Sequence, residues 1–105
     1  MDFIVDTDIS SMLAKTNNLD LLRKLFPKSK FFITIEIYNE LLEAKESGYD
    51  YIDDILRQEF KILHMSPEIV DEYRKMSEAL RNIHPGELQS ILMCRTHNMV
   101  LMTNG

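Results

Sequence analysis

Phe3-Ile4-Val5-Asp6-Thr7-Asp8, at the start of the chain, is an apolar run that stops abruptly at two acids. Ile9, Met12 and Leu13 then follow with a helical period. A strand buried on both faces of a parallel sheet reads as a continuous apolar run, and open α/β sheets place their chemistry just beyond the carboxyl ends of their strands. The stretch therefore predicts a first strand over Phe3–Val5 that delivers Asp6 to such an edge. A local reading competes with this one: Asp6 or Thr7 caps the following helix, and Asp8 in its first turn complements the helix dipole.

Two later segments bring further carboxylates towards the same edge: Thr34-Ile35-Glu36-Ile37-Tyr38-Asn39-Glu40 and His84-Pro85-Gly86-Glu87. Residues 31–35 read as a second strand, followed by a helix over 36–45 with Ile37, Leu41 and Ala44 as its buried stripe. Glu36, Glu40 and Glu43 share one face of that helix, which by itself describes a solvated face. Glu40 differs, because it lies one turn in, beside core Leu41, and can lean back towards the end of strand two. Glu87 falls in the first turn of the last helix, where an acid also suits the dipole. The functional reading rests on convergence: Asp6, Glu40 and Glu87 all fall near strand ends or helix starts along one edge.

Between these segments the chain alternates helix and strand. Leu19, Leu22, Leu25 and Phe26 are the apolar positions of a second helix that Pro27 stops. Residues 49–58 form a short helix through Ile52, Ile55 and Leu56, and residues 60–63 a third strand. Ser66-Pro67 starts a helix carried by Ile69, Val70, Tyr73, Met76 and Leu80 to about residue 81. The last helix packs Leu88, Ile91, Leu92 and Cys94, and residues 99–102 are a fourth strand. Strands separated by helical crossovers predict an α/β fold of three layers, with a central parallel sheet of about four strands flanked by helices.

Composition bounds the function. At 105 residues, 45% hydrophobic and 28% charged, the chain predicts one globular domain. No apolar run approaches the ~20 residues of a membrane span. A single cysteine, Cys94, excludes an internal disulfide and suits a reducing cytoplasm. A net charge of −5 gives no overall attraction for nucleic acid, although cations at a carboxylate cluster reverse the sign locally. His64, His84 and His97 have no zinc-ligand spacing, and Gly48, Gly86 and Gly105 form no phosphate loop. Oxygen-only ligands point to Mg²⁺ or Mn²⁺. Asp50, Asp53, Asp54, Asp71 and Glu72 read as exposed helix charge. Arg23, Lys24, Lys28 and Lys30 belong to the amino edge of the sheet, away from the acids, and read as solubility charge.

Taken in order, IVDTDIS, LDLLRKLF, ITIEIYNELL, HPGELQSI and VLMTN resemble a PIN domain over essentially the whole chain. That is the fold of metal-dependent ribonucleases, which includes toxins of many toxin–antitoxin pairs. Position by position, the resemblance implies that Asp6, Glu40 and Glu87 are the metal-binding and catalytic acids. It further implies RNA as substrate and an antitoxin-type protein as partner. In the family a fourth acid follows the threonine-containing end of strand four. Here Thr103-Asn104 leads to Gly105, so the resemblance implies three carboxylates, slow cleavage and a carboxyl-terminally short domain. The alternative is a catalytically weak PIN-like module that acts by binding a protein. A final strand without a covering helix also predicts a homodimer through the last helix and strand four. FIVDTDIS resembles the D-x-D motif of haloacid-dehalogenase-type phosphatases too, but no later carboxyl-end lysine accompanies it. A phospho-receiver domain needs an aspartate at the end of strand three, where His64-Met65-Ser66 stands.

Overall fold

The computed structural model of the chain describes residues 1–103. Four short strands, β1 (Phe3–Val5), β2 (Phe31–Thr34), β3 (Lys61–Leu63) and β4 (Val100–Met102), form one sheet in the order β3-β2-β1-β4. All three pairings are parallel; Phe3 lies opposite Phe31 and Val100, and Thr34 opposite Leu63. Among the described residues six helices flank the sheet: α1 (Thr7–Lys15), α2 (Leu21–Leu25), α3 (Ile35–Glu46), α4 (Tyr51–Leu56), α5 (Pro67–Ala79) and α6 (Pro85–His97). The expected parallel α/β architecture is the one observed. None of the helices among the described residues is long and apolar enough to cross a membrane.

The helix starts follow from local chemistry. Backbone N–H groups in the first turn of a helix lack partners, and a side-chain acceptor just before it supplies one. Ile9 N donates to Asp6 Oδ1 at 2.8 Å, Ile37 N to Thr34 Oγ1 at 3.2 Å, and Ile69 N to Ser66 Oγ at 3.4 Å. Thr34 therefore ends β2 and Ile35 begins α3, one residue earlier than the apolar run suggests. At α6 the cap is His84, whose Nδ1 accepts from Gly86 N at 3.1 Å. The chain leaves α6 through Asn98 in the left-handed region, a conformation that asparagine tolerates.

The core lies between sheet and helices. Phe3, Ile4 and Val5 of β1 are all buried, as are Ile37 and Leu41 of α3 and Leu88, Leu92 and Met93 of α6. Several expected core positions are not in it. Leu25 and Phe26 are exposed, because α2 is only Leu21–Leu25; Leu19 is buried in the turn before it, and the Phe26 ring still lies against Phe3 at 4.7 Å. Val70 and Leu80 are exposed on and just beyond α5, and Ile91 is exposed on the outward face of α6. Arg23 is more than solubility charge: its guanidinium donates to the Gln58 side chain and carbonyl and lies over the Phe31 and Phe60 rings. Asp53, Asp54 and Asp71 pair with nearby cations, and Glu72 pairs with Arg95, tying α5 to α6.

Cys94 is half-buried against the core, and burial pushes its thiol up to about 11. In the unfolded chain the thiol titrates near ~8.5. Above that pH the unfolded state loses the proton that the folded state keeps, so stability is fully present below about pH 8.5 and declines towards pH 11. Chemical denaturation across this window is expected to show a steeper fall for the wild type than for Cys94→Ala. Alkylation of Cys94 at neutral pH is expected to be slow until the protein is unfolded.

Candidate active site

The topology locates the site before any side chain is considered. From β1 the chain steps to β2 and on to β3 in one direction, then returns past both to place β4 on the other side of β1. The strand order reverses between β1 and β4, and open α/β sheets bind ligands outside the strand carboxyl ends at such a switch point. A cleft of about 240 Å³ opens there, lined by Asp6, Thr7, Asp8, Ile37, Glu40, His84, Gly86, Glu87, Ser90 and Leu101. All three acids singled out in the sequence line it.

Asp6 is held at the end of β1 by two bonds. Its N–H donates to Met102 O at 3.1 Å, which ties it to β4, and its Oδ1 caps α1. The local and functional readings of Asp6 are thus compatible, since capping engages one carboxylate oxygen of a residue that still lines the cleft. Glu40 reaches in from the second turn of α3. Its Oε2 accepts the Thr7 hydroxyl at 2.6 Å, and its side chain is only 25% exposed. Oε1 is buried without a hydrogen-bond partner. Glu87, in the first turn of α6, is exposed at the rim.

α6 comes close to Glu40 because residue 86 has no side chain. A Cβ on Gly86 would stand 2.7 Å from Glu40 Oε1. The His84 ring lies beside them, with Nε2 3.8 Å from the same oxygen, beyond hydrogen-bond range. Because His84 Nδ1 accepts from Gly86 N, the proton of the neutral ring sits on Nε2. That nitrogen faces the cleft as a donor rather than as a metal ligand. Gln89, buried on α6, accepts from Glu36 N at 3.2 Å and donates to Met65 Sδ, joining α6 to the first turn of α3.

Ser90 follows Gly86 by one turn. It is 1% exposed, and its Oγ has no hydrogen-bond partner. Leaving a buried polar group unpaired costs about 1–3 kcal/mol. Among the described residues, Glu40 Oε1 and Ser90 Oγ are the two such side-chain atoms, and both residues line this cleft. Thr7, His84 and Ser90 also line the cleft; Thr7 was not legible as a site residue because its partner, Glu40, lies on another element. Asn104 and Gly105, where the resemblance implies that the fourth acid is missing, lie outside the described residues.

The chemistry of the donors suits a hard divalent cation: carboxylate oxygens, one of them buried and unpaired, with no thiolate in the lining. The acids share the cleft without being gathered to one point. Among the described residues no three of His, Cys, Asp and Glu form a group that could hold a metal ion.

A parallel α/β sheet with acids at its switch point defines a class of protein that works at its carboxyl edge. The particular family follows from comparison with known proteins. A family model described as a PIN domain (DUF3368) matches residues 2–104, and the chain belongs to this PIN-domain family. No curated protein matches the chain. Among solved structures, VapBC-1 from nontypeable Haemophilus influenzae is similar at a TM-score of 0.75 and 20% identity, covering 100% of this chain and 87% of that one. VapBC2 from Rickettsia felis, solved bound to a DNA fragment from the promoter, is similar at a TM-score of 0.74 and 20% identity, over 100% and 88% of the two chains. A toxin-antitoxin complex from Klebsiella pneumoniae follows at 0.66 and 13%, over 97% and 85%.

The crowding at Gly86 generates a prediction. A methyl there meets the movable end of Glu40 rather than backbone, so the carboxylate gives way and the fold survives. Alanine gains up to about 1 kcal/mol of helix propensity, while the displaced Glu40 gives up a charged hydrogen bond of about 1.5–3 kcal/mol. With the full propensity gain the net cost is about 0.5–2 kcal/mol, so Gly86→Ala is expected to lower the melting temperature by roughly 2–16 °C. In a double-mutant cycle by urea denaturation, Thr7→Val is expected to be costly in the wild type and nearly neutral beside Gly86→Ala.

Proposed function

We propose that the chain is a metal-dependent endoribonuclease of the PIN type, with Asp6, Glu40 and Glu87 as its catalytic and metal-binding acids. The observation that carries this reading is that Asp6, Glu40 and Glu87 line one cleft at the switch point, with Glu40 Oε1 buried and unpaired against Gly86. Although the structure does not gather them into one ligand group, these acids are the residues that would hold Mg²⁺ or Mn²⁺, which when bound would supply an activated water and charge neutralisation at the phosphate. The protein's own part is placement. Asp6 is locked to β4 and α1, Thr7 fixes one oxygen of Glu40 while the other lies unpaired against Gly86, and the His84 Nε2–H is available to a phosphate oxygen at the rim. With a net charge of −5 the chain as a whole repels RNA, so binding depends on local charge reversal in the cleft.

Family membership supports a nuclease, and the toxin–antitoxin complexes among the structural neighbours support an antitoxin-type protein partner. A homodimer is supported by exposed apolar side chains where pairing is expected, Ile91 on α6 at 48% and Val100 on edge strand β4 at 41%. A second reading, a catalytically weak module that works by binding a protein, is favoured by the ungathered acids.

Single-turnover cleavage of RNA against Mn²⁺ concentration separates the two readings. The nuclease reading expects cleavage in Asp6→Asn and in Glu40→Gln to fall by more than the roughly 10–100-fold that loss of an outer-shell partner of a metal site costs. Cleavage unchanged in both variants would mean a contaminating nuclease, and a purified wild type with no cleavage at any Mn²⁺ concentration would leave the binding module. For assembly, light scattering is expected to show a dimer that Ile91→Glu converts to monomer; a monomeric wild type at high micromolar concentration removes the homodimer.

A further inference from the structure

We propose that α6 pairs antiparallel with α6 of a second copy of the chain, in a two-fold contact centred on Ile91. Arg95 of each copy then meets Glu87 of the other at the rim of the cleft. This pairing gives a register to the homodimer proposed above, on which it rests, and needs no bound ion.

The exposed stripe of α6 carries the register. Residues four apart share a helix face, and Glu87, Ile91 and Arg95 are exposed in steps of four while Leu88, Leu92 and Met93 turn into the core. The cap residues His84 and Asn98, both exposed, continue the stripe at its two ends. A two-fold contact brings the same surface of both copies together, so that residue i meets j and j meets i. With the axis at Ile91, Ile91 meets itself, Glu87 meets Arg95, and His84 meets Asn98. Apolar falls on apolar, acid on base, and polar on polar. A parallel pairing through Ile91 would set Glu87 on Glu87 and Arg95 on Arg95, and like charges in contact are disfavoured. The stripe is therefore complementary to itself only when antiparallel.

Both charges can reach the contact. Glu87 makes no ion pair among the described residues. Arg95 pairs with Glu72 on α5, yet its side chain remains 60% exposed, and a guanidinium has five N–H donors, enough for two carboxylates. Glu87 and Arg95 stand about 12 Å apart along the helix axis, one turn to either side of Ile91, so the two ion pairs flank the apolar contact. Among the described residues the lining of the cleft holds no lysine or arginine. Because Glu87 belongs to that lining, the dimer gives each cleft a rim cation that its own chain does not place there.

Charge reversal tests the register without RNA or metal. Dimer dissociation constants are measured by analytical ultracentrifugation for the wild type, for Glu87→Lys, and for Arg95→Glu made together with Glu72→Lys, which keeps the α5–α6 ion pair with its sign exchanged. An equimolar mixture of the two variants is measured beside them, and thermal melting checks that each is folded. Either variant alone places like charges at both symmetric contacts and is expected to weaken the dimer about tenfold or more. The mixture is expected to recover wild-type affinity as a heterodimer, because opposite charges then face each other at both contacts. Unchanged dissociation constants in the two variants, or a mixture as weak as either alone, overturn the register. If Ile91→Glu still dissociates that dimer, the homodimer stands without it. A monomeric wild type overturns both.

Discussion

Everything in this fold is registered on β1, three residues buried on both faces and flanked by parallel neighbours. A strand this short can be central only if its backbone groups are paired at both ends. The Phe3 N–H donates to Lys30 O, and the Asp6 N–H to Met102 O. The second bond matters beyond pairing. It fixes where the apolar run stops, so the first polar side chain emerges beside β4, where the strand order reverses. The cleft follows from that position, because helices entering from α3 and α6 converge on the one edge that the crossovers leave open.

Close approach at that edge is bought with small side chains. Gly86 lets α6 lie against the Glu40 carboxylate, and Ser90, a turn later, keeps the wall of the cleft small and polar. Gln89 between them links α6 to the first turn of α3. One helix thus presents a rim acid, a gap, a tie to its neighbour and a hydroxyl within two turns. The two unpaired buried oxygens sit where those features meet. Four of the helices are capped by side chains, and the buried side-chain oxygens left without a partner among the described residues both belong to residues that line the cleft.

Sequence patterning determined a good deal. Period and capping residues gave the order of all ten elements, the parallel class, and Asp6, Glu40 and Glu87 as the residues to follow. These signals are local: a strand's apolar run, a serine before proline and an acid after a glycine act within a few residues of one another. Tertiary structure decided the rest. It put Ile91, Val70 and Leu25 outside the core, because a helix buries only the stripe its neighbours cover, and patterning cannot say which neighbours those are. It turned Arg23 from surface charge into a clamp on Gln58. It also made Thr7 a partner of Glu40, across 33 residues of chain, and Ser90 a wall of the same cleft. No period or motif encodes those contacts, since they depend on how separate elements cross at the carboxyl edge of the sheet.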